Sequence, residues 1–246
     1  MNVLSKIDIL KDIVPLKSTK YGLAIHTSSP ELGLAISNFA GDVRCQTWNL
    51  GRDLATHLHQ HLVEFIHPQN WGNLEFIAVA KGPGSFTGTR IGVVTARTLA
   101  QQLDIPLFAI STLAAVAWEE GRKKKEEGED ISIASNIFRS DKAIALQMPA
   151  QRGQLFGGIY SVKFAKDNSD DSGLIELLSD TVMTLESWKK NLENLQTPYH
   201  LIEVENELGT SVSSILELAY LDYQQGKRPY WSEALPYYGQ HPVEEK

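Results

Sequence analysis

Cysteine is nearly absent from this 246-residue chain. Cys45 is the only one, which excludes an internal disulfide and a metal site built from thiolates. Its strand-like surroundings predict a small buried hydrophobe. No stretch approaches the ~18 consecutive apolar residues of a membrane span. No charged head leads into an apolar stretch with a small-residue cleavage site, so no membrane association and a cytoplasmic location are the expectation. Basic charge is also scarce: the formal net charge is −7, and the deficit lies in the second half. Before Trp118 there are nine Lys and Arg against eight Asp and Glu; from Trp118 onward, fourteen against twenty-two. Phosphate contacts supply most of the affinity for nucleic acid, so a chain of this charge is a poor RNA holder by itself. Any role on nucleic acid is therefore expected to be indirect, through a partner. No repeat of fixed period is present.

The informative stretch runs from Lys81 to Gly92, KGPGSFTGTRIG, with the helix it opens. Residues 74–80, LEFIAVA, form a nearly continuous apolar run, the pattern of a strand buried on both faces. Gly82, Pro83 and Gly84 then supply a turn, and Ser85 or Thr87 can cap the helix that follows. In that helix, over 87–103, Gly88, Gly92, Ala96 and Ala100 recur every fourth residue and make a ridge almost without side-chain volume. Two helical glycines cost roughly 1 kcal/mol each relative to alanine. Close approach of another element is the expected compensation, and spacing does not say whether that element is the chain's own sheet or another chain.

Residues 1–19 form an N-terminal extension with Leu4, Ile7, Leu10, Ile13 and Val14 at helical spacing, expected to be mobile or loosely docked. Strand-like runs at 21–26, 32–37 and 43–50 have short connections and predict an antiparallel meander. A helix over 53–66, the 74–80 strand, the glycine-loop helix, a strand at 107–110 and a helix opened by Ser111 or Thr112 complete the expected first lobe, 20–118. This order is that of the ribonuclease-H-like half of the actin, Hsp70 and sugar-kinase superfamily, an α/β two-lobed fold. Residues 119–130, EEGRKKKEEGED, read as a solvated linker or a helix extension, within a charged linker or insert over 119–141. Strands at 142–148, 154–164 and 174–178, a polar loop at 167–173, a helix at 184–195, a strand at 199–204 and a helix at 211–223 are expected to build a smaller second lobe, 142–246.

The histidines at 57, 59, 61 and 67 crowd one helix, but there is no HExxH order, and a solvent-facing cluster rather than a metal site is expected. The loop residues Gly82, Gly84, Ser85 and Thr87 could cradle a phosphate at a helix N-terminus. Their spacing matches neither G-x-G-x-x-G nor a loop ending in Gly-Lys-Ser/Thr. Ser85 lacks the G-x-S-x-G elbow of a serine nucleophile.

The run GPGSFTGTRIGVVTARTLA resembles the signature of the TsaB (YeaZ) family, the non-catalytic paralogue of TsaD in bacterial threonylcarbamoyl-adenosine modification of tRNA. Ile110-Ser111-Thr112-Leu113-Ala114-Ala115, Ile215 to Ala219 and Glu233 to Tyr238 resemble further family stretches. The chain departs from the pattern in four places. His26 stands where an aspartate is usual, Pro149-Ala150-Gln151 replaces Asp-Ala-Arg, no arginine follows the final Pro-x-Tyr, and 119–130 looks inserted. A neutral imidazole cannot replace a carboxylate beside Mg²⁺. The chain also has Ser111 to Ala115 where TsaD carries its His-x-x-x-His metal pair. The resemblance thus implies a scaffold with no catalytic residue, metal or cofactor of its own, ATP or ADP belonging to the complex. It implies binding to a TsaD-type transferase that modifies adenosine 37 of tRNAs reading ANN codons, together with a TsaE-type ATPase, and self-association as a homodimer. The partner-binding residues it implies, on the first two helices, are Leu58, Leu62, Gly88, Ile91, Gly92, Thr95, Ala96 and Leu99. The alternative is an enzyme, an actin-fold ATPase or a glycoprotease-like peptidase.

Overall fold

The computed structural model describes residues 15–127, 131–134, 137–140, 142–165, 172–205 and 207–239. The helical spacing expected in 1–14 and most of the polar loop at 167–173 lie outside them. Two mixed sheets, each lined by helices, make the molecule.

The first sheet begins as the expected meander: β1 (Tyr21–His26), β2 (Glu31–Ser37) and β3 (Val43–Asn49) pair antiparallel in sequence. After α1 (Leu54–Ile66), β4 (Leu74–Ala80) joins β1 in parallel. After α2 (Phe86–Leu103), β5 (Leu107–Ile110) joins β4 in parallel, giving the order β3-β2-β1-β4-β5. Every side chain of β1 is buried, as the apolar runs require of central strands covered on both faces. Alternation assigns Leu23 and Ile25 to the α1–α2 side, with Leu58, Leu62, Ala96 and Ala100, and Ala24 to the opposite side. Cys45, expected to be buried, is only half so, because β3 is an edge strand. Its neighbour Arg44 instead caps α1, donating to the carbonyls of Phe65 at 3.0 Å and His67 at 2.5 Å, oxygens that a helix C-terminus leaves without partners.

The second sheet holds β6 (Ile131–Ala134), β7 (Ile137–Ser140), β8 (Ala143–Pro149), β9 (Gln154–Ala165), β10 (Gly173–Thr184) and β11 (Tyr199–Glu203), with α4 (Leu185–Glu193) on one face. Its order is β11-β8-β9-β7-β6, with β10 also paired to β9. β10 is far longer than the 174–178 read from sequence. Two register shifts, between Glu176 and Leu178 and between Leu178 and Thr181, interrupt the apolar alternation while the pairing with β9 continues to Thr184. The β6–β7 hairpin escaped a reading that took 119–141 as linker.

Two helices lie between the sheets. α3 (Thr112–Glu127) carries the charged segment as its continuation, so residues 119–127 are helix. α5 (Val212–Gln224), although its sequence position falls within 142–246, covers the face of the first sheet where Ala24, Ala35, Phe76 and Phe108 cluster with its Val212, Ile215 and Tyr220. The opposite side of α5 sends Leu218 and Leu221 into the core of the second sheet with Trp118, Ile144 and Val162. Helix period shows that α5 has apolar faces; it cannot say which sheet each face meets. Between α3 and α5, the Glu217 carboxylate, 3% exposed, accepts hydrogen bonds from Arg122 Nη1 at 2.9 Å and Trp118 Nε1 at 2.7 Å. The 119–130 segment is therefore not wholly solvated: Arg122 is among the most buried polar residues of the described chain. Before Tyr21, the Leu16 N–H donates to the Asn38 carbonyl, and the Leu16 side chain packs against the α5-side core, so the end of the extension is docked. Among the described residues no helix is long and apolar enough to cross a membrane.

Removing one member of a buried ion pair leaves the other charge uncompensated, at a cost of about 3–5 kcal/mol, whereas replacing both with apolar groups is close to neutral. Glu217→Ala should therefore lower the urea midpoint severely, and Arg122→Met with Glu217→Leu should restore most of it. Equal loss in both variants would show that the pair itself, and not the orphaned charge, carries the stability.

Candidate functional site

Strands β1, β4 and β5 run parallel, so their C-terminal ends lie on one edge of the sheet, the place where open α/β sheets hold ligands. Three loops meet there: Thr27 to Pro30 after β1, Lys81 to Ser85 after β4, and Ser111 before α3. The glycine loop does what its sequence predicts. Ser85 caps α2, its Oγ accepting from Gly88 N at 3.2 Å. Gly82 and Gly84 have φ of +98° and +152°, which a side chain would strain, and the Gly82–Pro83 peptide is cis.

The small-residue ridge of α2 is spent inside the chain. A Cβ on Gly88 would stand 2.2 Å from the Thr27 carbonyl oxygen, and one on Gly92 2.1 Å from Thr27 Oγ1. Thr27 Oγ1 donates to the Gly88 carbonyl at 2.8 Å, Thr89 Oγ1 to Ser28 Oγ at 3.0 Å, and Ser85 N to the Ser28 carbonyl at 2.7 Å. The N-terminus of α2 is thus bound tightly to the loop after β1, and two of its polar groups that could face an anion are engaged by the protein itself. Of the residues expected on a partner-binding face, Leu58, Leu62, Gly88, Gly92, Thr95 and Ala96 are buried in the fold, and Ile91 and Leu99 are partly buried against the same core. The ridge packs on its own sheet and the Thr27 loop, and that close approach offsets the helical glycines.

His26 lies at the end of β1, wholly buried, with neither ring nitrogen hydrogen-bonded. Burial lowers its pKa to about 4, so the imidazole is neutral at pH 7 and brings no charge to the loop edge.

Asp180 and Tyr160, which the sequence did not single out, close the seam between the lobes together with Ser111 and Tyr237. Ser111 Oγ donates to Asp180 Oδ2 at 2.5 Å, the Tyr160 hydroxyl donates to Asp180 Oδ1, and the Tyr237 hydroxyl donates to the Asp180 carbonyl at 2.7 Å. Tyr237 N donates to the Lys81 carbonyl at 2.6 Å, and Thr112 N to the Gly82 carbonyl at 2.8 Å. Burial raises the Asp180 pKa, opposed by the hydroxyls of Ser111 and Tyr160 and by the Lys81 charge. Burial, with the nearby Asp180 carboxylate, raises that of Tyr160. The only hint in the sequence is an acidic residue within a run of alternating character, Leu178 to Val182, and the fold alone shows that it points inward.

The histidine cluster is divided by the fold. His59 and His67 are exposed, His61 stacks on Trp48 at 4.5 Å, and His57 Nδ1 lies 3.2 Å from the Asp53 carbonyl. Among the described residues, no three His, Cys, Asp or Glu side chains come together as a metal site.

A family model described as "TsaD: tRNA N6-adenosine threonylcarbamoyltransferase" matches residues 62–129. The tRNA threonylcarbamoyladenosine biosynthesis protein TsaB of Bacillus subtilis is 34% identical over 148 residues, 56% of this chain and 54% of that protein. The TsaB of Escherichia coli is 41% identical over 51 residues, 21% of this chain and 22% of that protein. The chain spans about half the length of the first curated relatives it matches. A structure titled YeaZ from Pseudomonas aeruginosa superposes with a TM-score of 0.65 at 20% identity, covering 89% of this chain and 99% of that one. A second Pseudomonas aeruginosa structure, of an uncharacterized protein with similarity to peptidase YeaZ, gives 0.67 over 90% of this chain and all of that one, also at 20% identity. The likeness to TsaB proteins expected from the glycine-loop run is therefore matched by named relatives, and the two-sheet α/β fold is the one seen in the YeaZ structures.

Two measurements follow from this geometry. Gly92→Ala should destabilise the isolated chain by about 1–3 kcal/mol, read as a drop in melting temperature, because the added methyl meets Thr27. An unchanged melting temperature would place the ridge elsewhere. For His26 the folded pKa lies below the 6.5 of the unfolded chain, so as pH falls from 6.5 toward 4 the unfolded state takes up a proton that the folded state refuses. Stability should fall by up to about 3 kcal/mol over that window, and His26→Leu should flatten that part of the profile in urea titrations at pH 7 and pH 5.

Proposed function

We propose that this chain is a non-catalytic subunit of the tRNA threonylcarbamoyladenosine machinery, binding and activating a TsaD-type transferase that acts on adenosine 37 of tRNAs reading ANN codons. The likeness to TsaB proteins supports the pathway. The observation that carries the scaffold reading is the outer face of α1 and α2. These helices lie side by side, and with their inner faces spent on the sheet each turns a large apolar side chain to solvent: Val63, 53% exposed, and Val94, 54% exposed. Ala55, Thr56 and His59 flank the first, Arg90 and Thr98 the second, all exposed. An apolar centre with a polar rim is the anatomy of a helix-packing interface. This face replaces the buried ridge as the partner surface.

Absence of catalysis is supported by the neutral imidazole of His26 and by hydrogen bonds within the loop edge, which engage the N–H groups of Ser85 and Gly88 at the start of α2 with Ser28 and Ser85. A TsaE-type ATPase and any ATP or ADP then belong to the assembled complex, self-association would use the same helices, and tRNA is held by the partner.

Light-scattering mass of the purified chain, mixed with the TsaD-type protein of the same organism, tests the reading. A one-to-one complex is expected. Val63→Glu and Val94→Glu should abolish it while shifting stability by less than about 0.5 kcal/mol, as exposed substitutions do. A mass indifferent to the partner would overturn the scaffold reading. Turnover of ATP or peptide by the chain alone, lost on substituting His26 or Ser85, would install the enzyme in its place.

A further inference from the structure

The outer edge of the second sheet is built to accept another strand. Among the described residues β11 closes one end of that sheet and pairs only with β8, in parallel and without register shift. Ala143 N donates to the Pro198 carbonyl and Val204 N to the Gln147 carbonyl. The even-numbered residues of this stretch therefore turn their peptide groups toward β8. Those of Tyr199, Leu201 and Glu203 point away, with no partner among the described residues. Of the usual protections of an edge, proline, bulge and lysine do not occur within Tyr199 to Glu203.

Two of the three residues whose peptide groups face outward on that edge are apolar. Tyr199 and Leu201, 40% and 41% exposed, stand level with Ala143 and Ala145 and extend the face that α4 covers with Trp188 and Leu192. Past the C-terminal end of β11 the row opens into a groove of about 700 Å³, with Met148, Pro149 and Leu185 on its apolar side and Glu203, Glu205 and Glu207 on its polar side. All three glutamates are exposed.

We infer that β11 is a docking edge for an extended segment of a partner protein, apolar at alternate positions and ending in lysine or arginine. The backbone of that segment pairs with Tyr199, Leu201 and Glu203, and its apolar side chains sit beside Tyr199 and Leu201. Its cationic end enters the groove, the aliphatic stem against Leu185 and the charge among the three glutamates. A second copy of this chain fits poorly: a two-fold axis pairs the two edges antiparallel and brings the Tyr199 end, which carries no lysine or arginine, to the groove, and the chain carries −7 overall. The surface lies on the second lobe, away from the α1–α2 face, and the inference stands without the proposed function.

The test uses the full chain and a fluorescent ten-residue peptide alternating valine and threonine with two arginines at its C-terminus. A control peptide carries two glutamates there instead. Anisotropy at low salt should show saturable binding of the arginine peptide and at least tenfold weaker binding of the glutamate peptide. Leu201→Pro removes one outward N–H while leaving the ladder to β8 intact, and it should cost at least tenfold at an unchanged melting temperature. Glu205→Lys with Glu207→Lys should weaken the arginine peptide and strengthen the glutamate one. Equal binding of both peptides, or insensitivity to Leu201→Pro, would overturn the inference. So would a homodimer of the wild-type chain that Leu201→Pro dissociates, since the edge would then belong to a second copy.

Discussion

The Glu217 carboxylate holds the architecture together. It is buried between the sheets, and it takes hydrogen bonds from the indole of Trp118 and the guanidinium of Arg122, two residues one helical turn apart on α3. A carboxylate in such a place is tolerable only when its partners are fixed, so the contact sets both the rotation of α3 and its height along α5. Other contacts that join the lobes run through the same two helices. α5 presents Val212, Ile215 and Tyr220 to one sheet and Leu218 and Leu221 to the other, and α3 brings Ser111, at its start, to the Asp180 carboxylate of β10.

A second constraint is the space between α2 and the loop after β1. The helix comes so close to Thr27 that only glycine fits at positions 88 and 92, and the polar atoms of Thr27, Ser28, Ser85 and Thr89 are used to hold it there. At the ends of the central strands, where open α/β sheets hold ligands, this chain has hydrogen bonds of its own and a neutral, buried histidine. With the inner faces of α1 and α2 committed to the sheet, the face of those helices that carries Val63 and Val94 is the one left to solvent.

The three-strand meander, the glycine-loop helix and the continuously apolar β4 were legible because each is a local pattern: short connections, a cap after a turn, and apolar runs of strand length. The likeness to TsaB proteins was legible for the same reason, resting on one contiguous run. The direction of the small-residue ridge was not legible, since period four states that a helix can be approached closely and says nothing of what approaches. Asp180 stayed hidden among polar neighbours in a strand whose alternation is broken by two bulges. Charge composition misled in the 119–130 segment, where Arg122 was counted with solvated lysines although Glu217, 95 residues away, compensates it.

By itself the sequence determined the order and type of the elements and the turn chemistry of the glycine loop, because these depend on residues within a turn or a strand of each other. It also determined the lack of disulfide and thiolate chemistry, because that depends on a count. Tertiary structure alone decided that α5 serves both lobes, that the glycine ridge faces inward, that Asp180, Tyr160 and Tyr237 close the seam, and that β11 is the edge strand of the second sheet among the described residues. Each of these is a pairing between residues far apart in the chain. Which partner a side chain meets is set by the packing of whole elements, and no local pattern carries that information.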